Sequence, residues 1–432
     1  MPPRSFSKSR SRSRRPAFTP QQFEVTVDTL GAQGDGVAHL GGKPVYVAYG
    51  LPGDRVVVET TGPQGEGVAA RIVELLGASS HRVTPPCPLF GRCGGCSLQH
   101  AEDGFYRDWK QGLLSARLDG PVQPLARVAP GTRRRAEFAF RVQGKRVTLG
   151  FQQRASHALV DVDACLLMVP EVTAMVQPIR DLLVDLKVEG TGDATVTATD
   201  SGIDLVIAGA LDLNLAAREA LAAFADRYDL ARLCWRLPDG EIEPVAKRRG
   251  PMVHFGEVPV EIPPAAFLQP SRQGEAILTG LVLAAVGDAK LAVADLYAGS
   301  GTFSLPLAKR GHRIHAVEGV AASLDALDAA ARRLGLGVTT ECRDLARRPL
   351  LAPELAKFQA VVFDPPRAGA SAQAEQLAQA GPALVVAVSC NPNTLARDVK
   401  ILLEGGYRLE SLTPVDQFPF SAHLEAVAVL RR

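Results

Sequence analysis

Apolar and polar positions follow three different patterns along this chain. Between residues 23 and 76, strand-length runs rich in β-branched residues are separated by Gly, Pro and Asp turns, as in FEVTVDTL and KPVYVAYGLPGDRVVVETT. Runs of this length at such close spacing predict a small antiparallel β-barrel over residues 20–80. Barrels of this size often bind single-stranded nucleic acid, although a purely structural role is the alternative.

Residues 81–260 mix helical and strand patterns and predict a central α+β domain. Within it, the stretch TRRRAEFAFRVQGKRVTLGFQQR alternates basic and apolar residues at period two. This alternation predicts a hairpin with a row of cations on one side, suited to phosphate contact, although a solvated hairpin face is the alternative. The stretch contains a single acid, Glu137, and seven cations: Arg133, Arg134, Arg135, Arg141, Lys145, Arg146 and Arg154.

Residues 261–432 alternate short apolar runs with helical patterns. The apolar runs occur in LAVADLYAGSG, HRIHAVE, AVVFDPPR and ALVVAVSC. Because strands buried on both faces read as continuous apolar segments, this series predicts a doubly wound, Rossmann-like α/β domain built on a parallel sheet.

The overall composition fits a folded chain of two or three units. Of the 432 residues, 46% are hydrophobic and 22% are charged. No apolar run approaches the roughly 20 residues that a spanning helix needs, and we expect no membrane partner. The net charge of +2 hides a local excess, since residues 1–15 carry six basic residues and no acid. Residues 1–19 therefore predict a disordered basic tail, which either contacts a polyanion or only aids solubility.

The cysteines indicate metal or catalytic chemistry in a reducing compartment. Seven in 432 residues are too few for a disulfide framework, and we expect a cytoplasmic protein. Cys87, Cys93 and Cys96 are spaced C-x5-C-x2-C, and Cys165 is the best remaining candidate for a fourth thiolate. Four thiolates can hold zinc or a four-iron cluster, and the spacing does not decide between them. Unliganded structural cysteines are the third interpretation.

A glycine turn in the C-terminal domain predicts a nucleoside cofactor. Gly299 and Gly301 follow the first apolar strand, and Glu318 ends the second. Glycines allow the backbone to approach a ligand closely, and an acid at that strand end can accept hydrogen bonds from ribose hydroxyls. The spacing D-x-x-x-G-x-G differs from the dinucleotide pattern G-x-G-x-x-G and favours a methyltransferase cofactor over NAD.

Reactive groups are expected at the same edge of the sheet. Asp364 follows the apolar run AVVF and Cys390 follows the run ALVVAVS, and Cys390 precedes a predicted helix whose dipole would stabilise its thiolate. This makes Cys390 the best nucleophile, with a buried structural cysteine as the alternative. By analogy with the common methyltransferase topology, the last strand inserts antiparallel beside the strand ending at Cys390. Glu425, at the start of that last strand, would then face Cys390.

These motifs together resemble the RNA 5-methyluridine methyltransferases of the bacterial type, in particular the 23S rRNA enzymes. The leading barrel resembles the TRAM domain of that family. Besides the four cysteines, the matching motifs occur in family order: FLQP (267–270), DLYAGSGTFSLPLA (295–308), FDPPR (363–367), SCNPNTLARD (389–398) and HLE (423–425).

The resemblance implies Cys390 as the nucleophile that adds to carbon 6 of uracil and Glu425 as the acceptor of the carbon 5 proton. It also implies a [4Fe–4S] cluster on the four cysteines. The same resemblance favours ribosomal over transfer RNA as the substrate, although the residues leave both open. We infer no obligate protein partner and expect a monomer. S-adenosylmethionine would lie among Gln269, Tyr297, Glu318 and Asp364, with Asp344 near the adenine.

The chain departs from the family pattern at two cofactor positions. Ser271 and Thr302 stand where Asn is usual, which puts these two contacts in doubt. Two other functions compete with the uracil chemistry. An exocyclic-amine methyltransferase is indicated by Asp-Pro-Pro, but such enzymes carry an aromatic residue where Arg367 stands. The second competing function is that of a non-catalytic RNA-binding protein that has kept the methyltransferase fold.

Overall fold

The computed structural model of the protein describes residues 18–237 and 240–432. The chain divides into two compact units, the first ending at Arg82 and the second running from Val83 to Arg432. Residues 1–17, which hold most of the predicted basic tail, lie outside the described residues. Within the described ranges, no helix combines the length and the apolar character needed to cross a membrane.

The first unit is a curled sheet. Its strands are β1 (Gln22–Thr26), β2 (Thr29–Leu30), β3 (Gly36–Leu40), β4 (Lys43–Ala48), β5 (Arg55–Gln64) and β6 (Gly67–Gly77). They are ordered β1-β5-β6-β4-β3-β2, and every neighbouring pair is antiparallel except β4 with β6. Alternate side chains from β1 and β3 to β6 meet in one valine-rich core. The sheet therefore wraps one core where a small barrel was predicted, with one parallel pair that the pattern did not indicate.

The second unit opens with α1 (Asp103–Ser115) and β7 (Ala126–Arg127) and continues into a central sheet. Among the described residues this sheet has seven strands, ordered β10-β9-β8-β11-β12-β13-β14. Apolar side chains of its helices and strands form one core that includes Phe138, Leu183 and Trp235. The elements are β8 (Arg135–Gln143), β9 (Arg146–Gln152), β10 (Leu159–Asp161), α2 (Pro170–Ala174), α3 (Val176–Asp185), β11 (Glu189–Thr199), β12 (Gly202–Ala210), α4 (Leu215–Arg227), β13 (Arg232–Arg236) and β14 (Ile242–Lys247).

The C-terminal sheet confirms the predicted doubly wound α/β fold. After the hairpin β15 (Met252–Phe255) and β16 (Val258–Glu261), the elements are α5 (Arg272–Val286), β17 (Ala292–Leu296), α6 (Ser304–Lys309), β18 (Arg313–Glu318), α7 (Ala321–Arg333), β19 (Val338–Cys342), α8 (Ala352–Leu355), β20 (Ala360–Phe363), α9 (Ser371–Ala380), β21 (Leu384–Ser389), α10 (Pro392–Glu404), β22 (Arg408–Asp416) and β23 (Glu425–Arg431). The strand order is β19-β18-β17-β20-β21-β23-β22-β7. Strands β17 to β21 are mutually parallel, and β23 runs antiparallel between β21 and β22.

Three elements placed in the central region by sequence pack on the C-terminal sheet instead: helix α1, strand β7 and the β15–β16 hairpin. Helix α1 buries Leu113 and Leu114 in one of the cores of that sheet, and β7 pairs with β22. The β15–β16 hairpin buries Phe255 and Val260 in the core on the other side. The predicted boundary at residue 260 therefore does not follow the packing, because these elements place their apolar faces on the later sheet.

One arginine of the predicted cationic row lies inside the molecule. Arg134 has the same parity as the inward-facing Ala136 and Phe138, so the period-two alternation directs it into the core. Its Nη2 donates to Glu275 Oε2 at 2.5 Å, and its Nε donates to Gln269 O at 3.2 Å. The expectation of phosphate contact is wrong for Arg134, whereas Arg141 on the other face is exposed.

Removing Glu275 tests the weight of this buried pair. Glu275→Leu leaves the Arg134 cation buried without its partner, which costs about 3–5 kcal/mol of unfolding free energy. The double variant Arg134→Met/Glu275→Leu recovers most of that loss, because no charge stays buried. Urea unfolding measures both, with Glu261→Gln in the half-exposed Lys247–Glu261 pair as a control expected to cost under about 1 kcal/mol. A small effect of Glu275→Leu would show that the pair carries little of the fold.

Candidate active site

A single cavity of about 1260 Å³ opens beyond the carboxyl ends of the parallel strands. Its volume is large enough for both a nucleoside cofactor and a nucleotide. Asp344 and Thr302 line it, but Ser271 does not and instead caps α5 by accepting from Gly274 N at 2.9 Å. The structure places all ten predicted site residues on its wall: Cys87, Cys93, Cys96, Cys165, Gln269, Tyr297, Glu318, Asp364, Cys390 and Glu425.

The glycine turn after β17 forms one end of the cavity. Tyr297 has a φ of 62° and Gly301 a φ of 106°, and a Cβ on Gly301 would lie 2.8 Å from a Leu305 methyl carbon. Glu318, at the end of β18, accepts from Gly299 N at 2.9 Å and from Val320 N at 2.8 Å. The turn and the carboxylate are thus held together as a cradle with acceptor capacity for ligand hydroxyls.

Buried amides and carboxylates line the middle of the cavity. Gln269 Nε2 donates to Asp364 Oδ2 at 3.2 Å, and Gln417 Nε2 donates to Gln269 Oε1 at 2.8 Å. Burial raises the pKa of Asp364. Burial and the charge of Asp364 raise the pKa of Glu425, against the opposing effects of a hydrogen bond from Gln417 and of the charge of Arg367. Within the described residues, Glu425 Oε2 is buried without a hydrogen-bond partner, so this carboxylate is available to a ligand.

Cys390 faces Glu425 because of the register between β21 and β23. Ser389 pairs with Ala426 in this antiparallel ladder, which places the residues just outside it, Cys390 and Glu425, at the same edge. Burial and the neighbouring carboxylates of Glu425 and Asp364 raise the pKa of Cys390 to about 11. Burial and these two negative charges therefore oppose the stabilisation of the thiolate that is expected from the helix dipole of α10.

Sequence reasoning assigned no role to two polar side chains beside this pair. Arg367 Nη2 lies 2.6 Å from His423 Nδ1, and both side chains line the cavity. The positive charge of Arg367 opposes the rise in the pKa of Cys390 and of Glu425, so it is a nearby cation that favours their charged forms. Its position after Asp-Pro-Pro at a strand end was a usable signal, whereas nothing in the sequence around Gln417 pointed to the cavity.

The four predicted metal-binding cysteines gather at the other end of the cavity. Burial, together with the charges of Cys165, Cys93 and Cys87, raises the pKa of Cys96 to about 12. Gly94 lets the cysteine loop approach β9, because a Cβ there would lie 2.8 Å from Gln152 O. All the cysteines are free thiols. The described residues contain no group of His, Cys, Asp or Glu arranged closely enough for a single metal ion.

Comparison with known proteins agrees with this architecture. The family described as tRNA (Uracil-5-)-methyltransferase matches residues 337–432, and the TRAM domain matches residues 17–69. A Brucella melitensis protein named an uncharacterized RNA methyltransferase is 46% identical over 418 residues, covering 95% of this chain and 98% of that protein. The 23S rRNA (uracil(1939)-C(5))-methyltransferase RlmD of Pectobacterium atrosepticum is 35% identical over 440 residues, covering 98% and 97%.

Solved structures share the fold. The Pyrococcus abyssi tRNA (uracil-54, C5)-methyltransferase, crystallised with S-adenosyl-L-homocysteine, superposes with a TM-score of 0.76 at 23% identity, covering 94% of this chain and all of that one. The fold and cavity thus define a Rossmann-like methyltransferase with a TRAM domain. With these relatives, the chain belongs to the RNA uracil-5-methyltransferase family. The predicted resemblance is confirmed, and the protein is an RNA methyltransferase.

The raised pKa of Cys390 can be measured by alkylation. Because the thiolate is the reactive form, iodoacetamide should modify Cys390 slowly at pH 8 and faster as the pH rises toward about 11. In Glu425→Gln, a negative charge that raises the thiol pKa is gone, so alkylation at pH 8 should be several-fold faster. Peptide mass spectrometry follows Cys390 against the exposed Cys342 as an internal control. A half-maximal alkylation rate of Cys390 near pH 8.5 would contradict the raised pKa of this thiol.

Proposed function

We propose that the protein transfers a methyl group from S-adenosylmethionine to carbon 5 of a uridine in 23S rRNA through a covalent Cys390 adduct. The observation that carries the proposal is the placement of Cys390 and Glu425 next to each other, at one edge of the cavity that also contains the glycine turn. A thiol and a carboxylate so close together can both reach a single flipped base. RlmD of Pectobacterium atrosepticum, similar over its full length, is named for this reaction in 23S rRNA.

The cavity fits S-adenosylmethionine, which supplies an electrophilic methyl group when bound. Glu318 and the turn at Gly299 would hold the ribose, with Asp344 on the adenine side. The buried carboxylate of Asp364 suits a cationic ligand, because a positive charge there offsets the cost of ionising it. The crystallised Pyrococcus relative carries S-adenosyl-L-homocysteine, the demethylated form of the same compound.

Uracil carbon 5 is too weak a nucleophile to be methylated directly. The Cys390 thiolate forms a bond to carbon 6, and the electrons of the 5,6 double bond pass to the ring, which makes carbon 5 nucleophilic. After carbon 5 has gained its methyl group, Glu425 accepts the carbon 5 proton, the double bond re-forms and the bond from sulfur to carbon 6 breaks. A pKa raised by burial suits Glu425 to this role, since a base works best with a pKa near the working pH.

The target uridine must leave its stack to reach Cys390 and Glu425, because both are buried or half-buried in the cavity. Flipping costs a few kcal/mol and is least costly in single-stranded RNA. Exposed cations on the β8–β9 hairpin, such as Arg141 and Arg146, supply phosphate contacts that offset part of this cost. Transfer RNA is the alternative substrate, and mapping 5-methyluridine in RNA from a deletion strain decides between the two.

For the four cysteines we propose a [4Fe–4S] cluster, in which each thiolate would bond a different iron. Support comes from their common place on the cavity wall, where each of Cys87, Cys93 and Cys165 is near enough to raise the pKa of Cys96. A zinc ion is the alternative, because four thiolates can also hold zinc. When bound, the cluster would cross-link the cysteine loop to Cys165 and offer one-electron redox chemistry.

Anaerobically purified protein should therefore be brown, with about four irons and four sulfides per chain. Cys165→Ser should lose most of the iron, because one of the four ligands is removed. Cys342→Ser serves as the matched control, since this exposed thiol does not line the cavity and should leave the iron content unchanged. Colourless protein with one zinc would exclude the cluster while leaving the methyltransferase assignment intact.

The two halves of the reaction should separate in variants. Cys390→Ala should abolish methylation and covalent capture of RNA, because the thiol activates the ring. The Glu425→Gln variant should still form the bond from Cys390 to carbon 6 and methylate carbon 5. Elimination should then stall, so turnover should fall by at least about 100-fold. A methylated protein–RNA complex should then accumulate on a denaturing gel and be absent from the double variant. Wild-type turnover in Glu425→Gln, or an adduct without Cys390, would refute the roles proposed here.

A further inference from the structure

The 417–424 loop joins β22 to β23 and delivers Glu425 to the cavity. Phe418 and His423 from this loop line the cavity wall, and Gln417 donates to the cavity residue Gln269. The loop also contains Phe420, a non-glycine residue with a φ of 61°. Such a backbone conformation costs of order 1–3 kcal/mol and persists only where surrounding contacts enforce it. The contacts that enforce it come from outside the C-terminal sheet.

The strongest of these contacts is made by a lysine of α1. Lys110 is fully buried, as is Asp416 at the start of the loop, and its Nζ lies 2.9 Å from Asp416 Oδ1. The same ammonium donates to the carbonyl oxygen of His423, two residues before Glu425. Lysines are almost never fully buried unless they are paired, so this one has a specific use. It ties the first and last parts of the 417–424 loop to one charged group.

A tyrosine one turn earlier on α1 fixes the middle of the loop. Tyr106 OH donates to Asp416 Oδ2 at 2.7 Å and accepts from Phe420 N at 3.0 Å. On the other side, the carbonyl oxygen of Phe420 accepts from Ser97 N at 2.8 Å and Leu98 N at 3.0 Å. The strained residue is therefore held through both its N–H and its C=O, and the loop has little freedom to carry Glu425 elsewhere.

We propose that Lys110 is a positioning residue for the proton-abstracting step, acting through the His423 carbonyl on Glu425. The inference rests on the proposed function, because it gives a named task to the Glu425 carboxylate. Cys390 follows β21 and precedes α10, whereas the hydrogen bonds of Lys110 among the described residues go to Asp416 and His423, which belong to neither element. Displacing the 417–424 loop therefore moves the base but leaves the nucleophile in place. Addition to carbon 6 and methyl transfer continue, and removal of the carbon 5 proton becomes slow.

The test removes both buried charges together. Lys110→Met/Asp416→Asn nearly conserves volume and leaves an acceptor for Tyr106, and replacing a buried ion pair in this way is often neutral for stability. The matched control is Arg232→Met/Asp204→Asn in the central sheet. That pair is also buried, at 2.8 Å, and Arg232 likewise donates to a backbone carbonyl, that of Ile262.

A displacement of about 1 Å can cost roughly 100-fold in rate, so elimination in Lys110→Met/Asp416→Asn should slow by about 10- to 100-fold. Single-turnover methyl transfer to RNA should stay within about threefold of wild type, because Cys390 is unmoved. The methylated covalent complex should therefore accumulate, as in Glu425→Gln but to a lesser extent. Amide hydrogen exchange over residues 417–425 should be faster than in the control pair variant.

Three results would overturn the proposal. They are a wild-type level of covalent complex in Lys110→Met/Asp416→Asn, an equal slowing of methyl transfer and elimination, and the same accumulation in Arg232→Met/Asp204→Asn. Tyr106→Phe provides a second test if the double variant does not fold, since it deletes only one hydroxyl. It should slow elimination relative to methyl transfer in the same direction, but more weakly. If Glu425→Gln itself accumulates no complex, the proposed function fails with the positioning role. If Glu425→Gln accumulates the covalent complex but the Lys110 and Tyr106 variants do not, only the positioning role fails.

Discussion

The antiparallel insertion of β23 beside β21 is the constraint on which the site depends. Its register pairs Ser389 with Ala426 and so brings the thiol of Cys390 and the carboxylate of Glu425 to one edge of the sheet. A shift of one residue would turn every side chain of β23 to the opposite face. Strand β23 is apolar on both faces and is buried between two cores. Such a shift would therefore also turn the Glu425 carboxylate to the opposite face of the strand.

Burial at this edge explains the charge states of the site. Cys390, Asp364 and Glu425 all have raised pKa values, each with burial as the largest cause. The cavity lining therefore disfavours negative charge, and Arg367 provides only partial compensation. A positive charge on a bound ligand would favour the ionised forms of Cys390 and Glu425 together.

The second unit surrounds this edge with elements distant in sequence. Arg134, before β8, is buried against Glu275 of α5 and donates to the carbonyl of Gln269. Helix α1 holds the 417–424 loop through Lys110 and Tyr106. In both cases a buried polar side chain bonds to the backbone near a cavity residue. Such contacts are costly to leave unmade, which makes them effective in fixing a backbone position.

The sequence by itself determined the doubly wound fold, the family and the ten candidate site residues, because continuous apolar strands and short motifs at their ends are local signals. It also indicated that Cys390 and Glu425 face each other, but only by analogy with a known topology. The tertiary structure alone decided that Arg134 is buried, that α1 packs on the C-terminal sheet and that the pKa of Cys390 rises to about 11. Burial and partner charges depend on contacts between residues up to some 300 positions apart, and no local pattern records them.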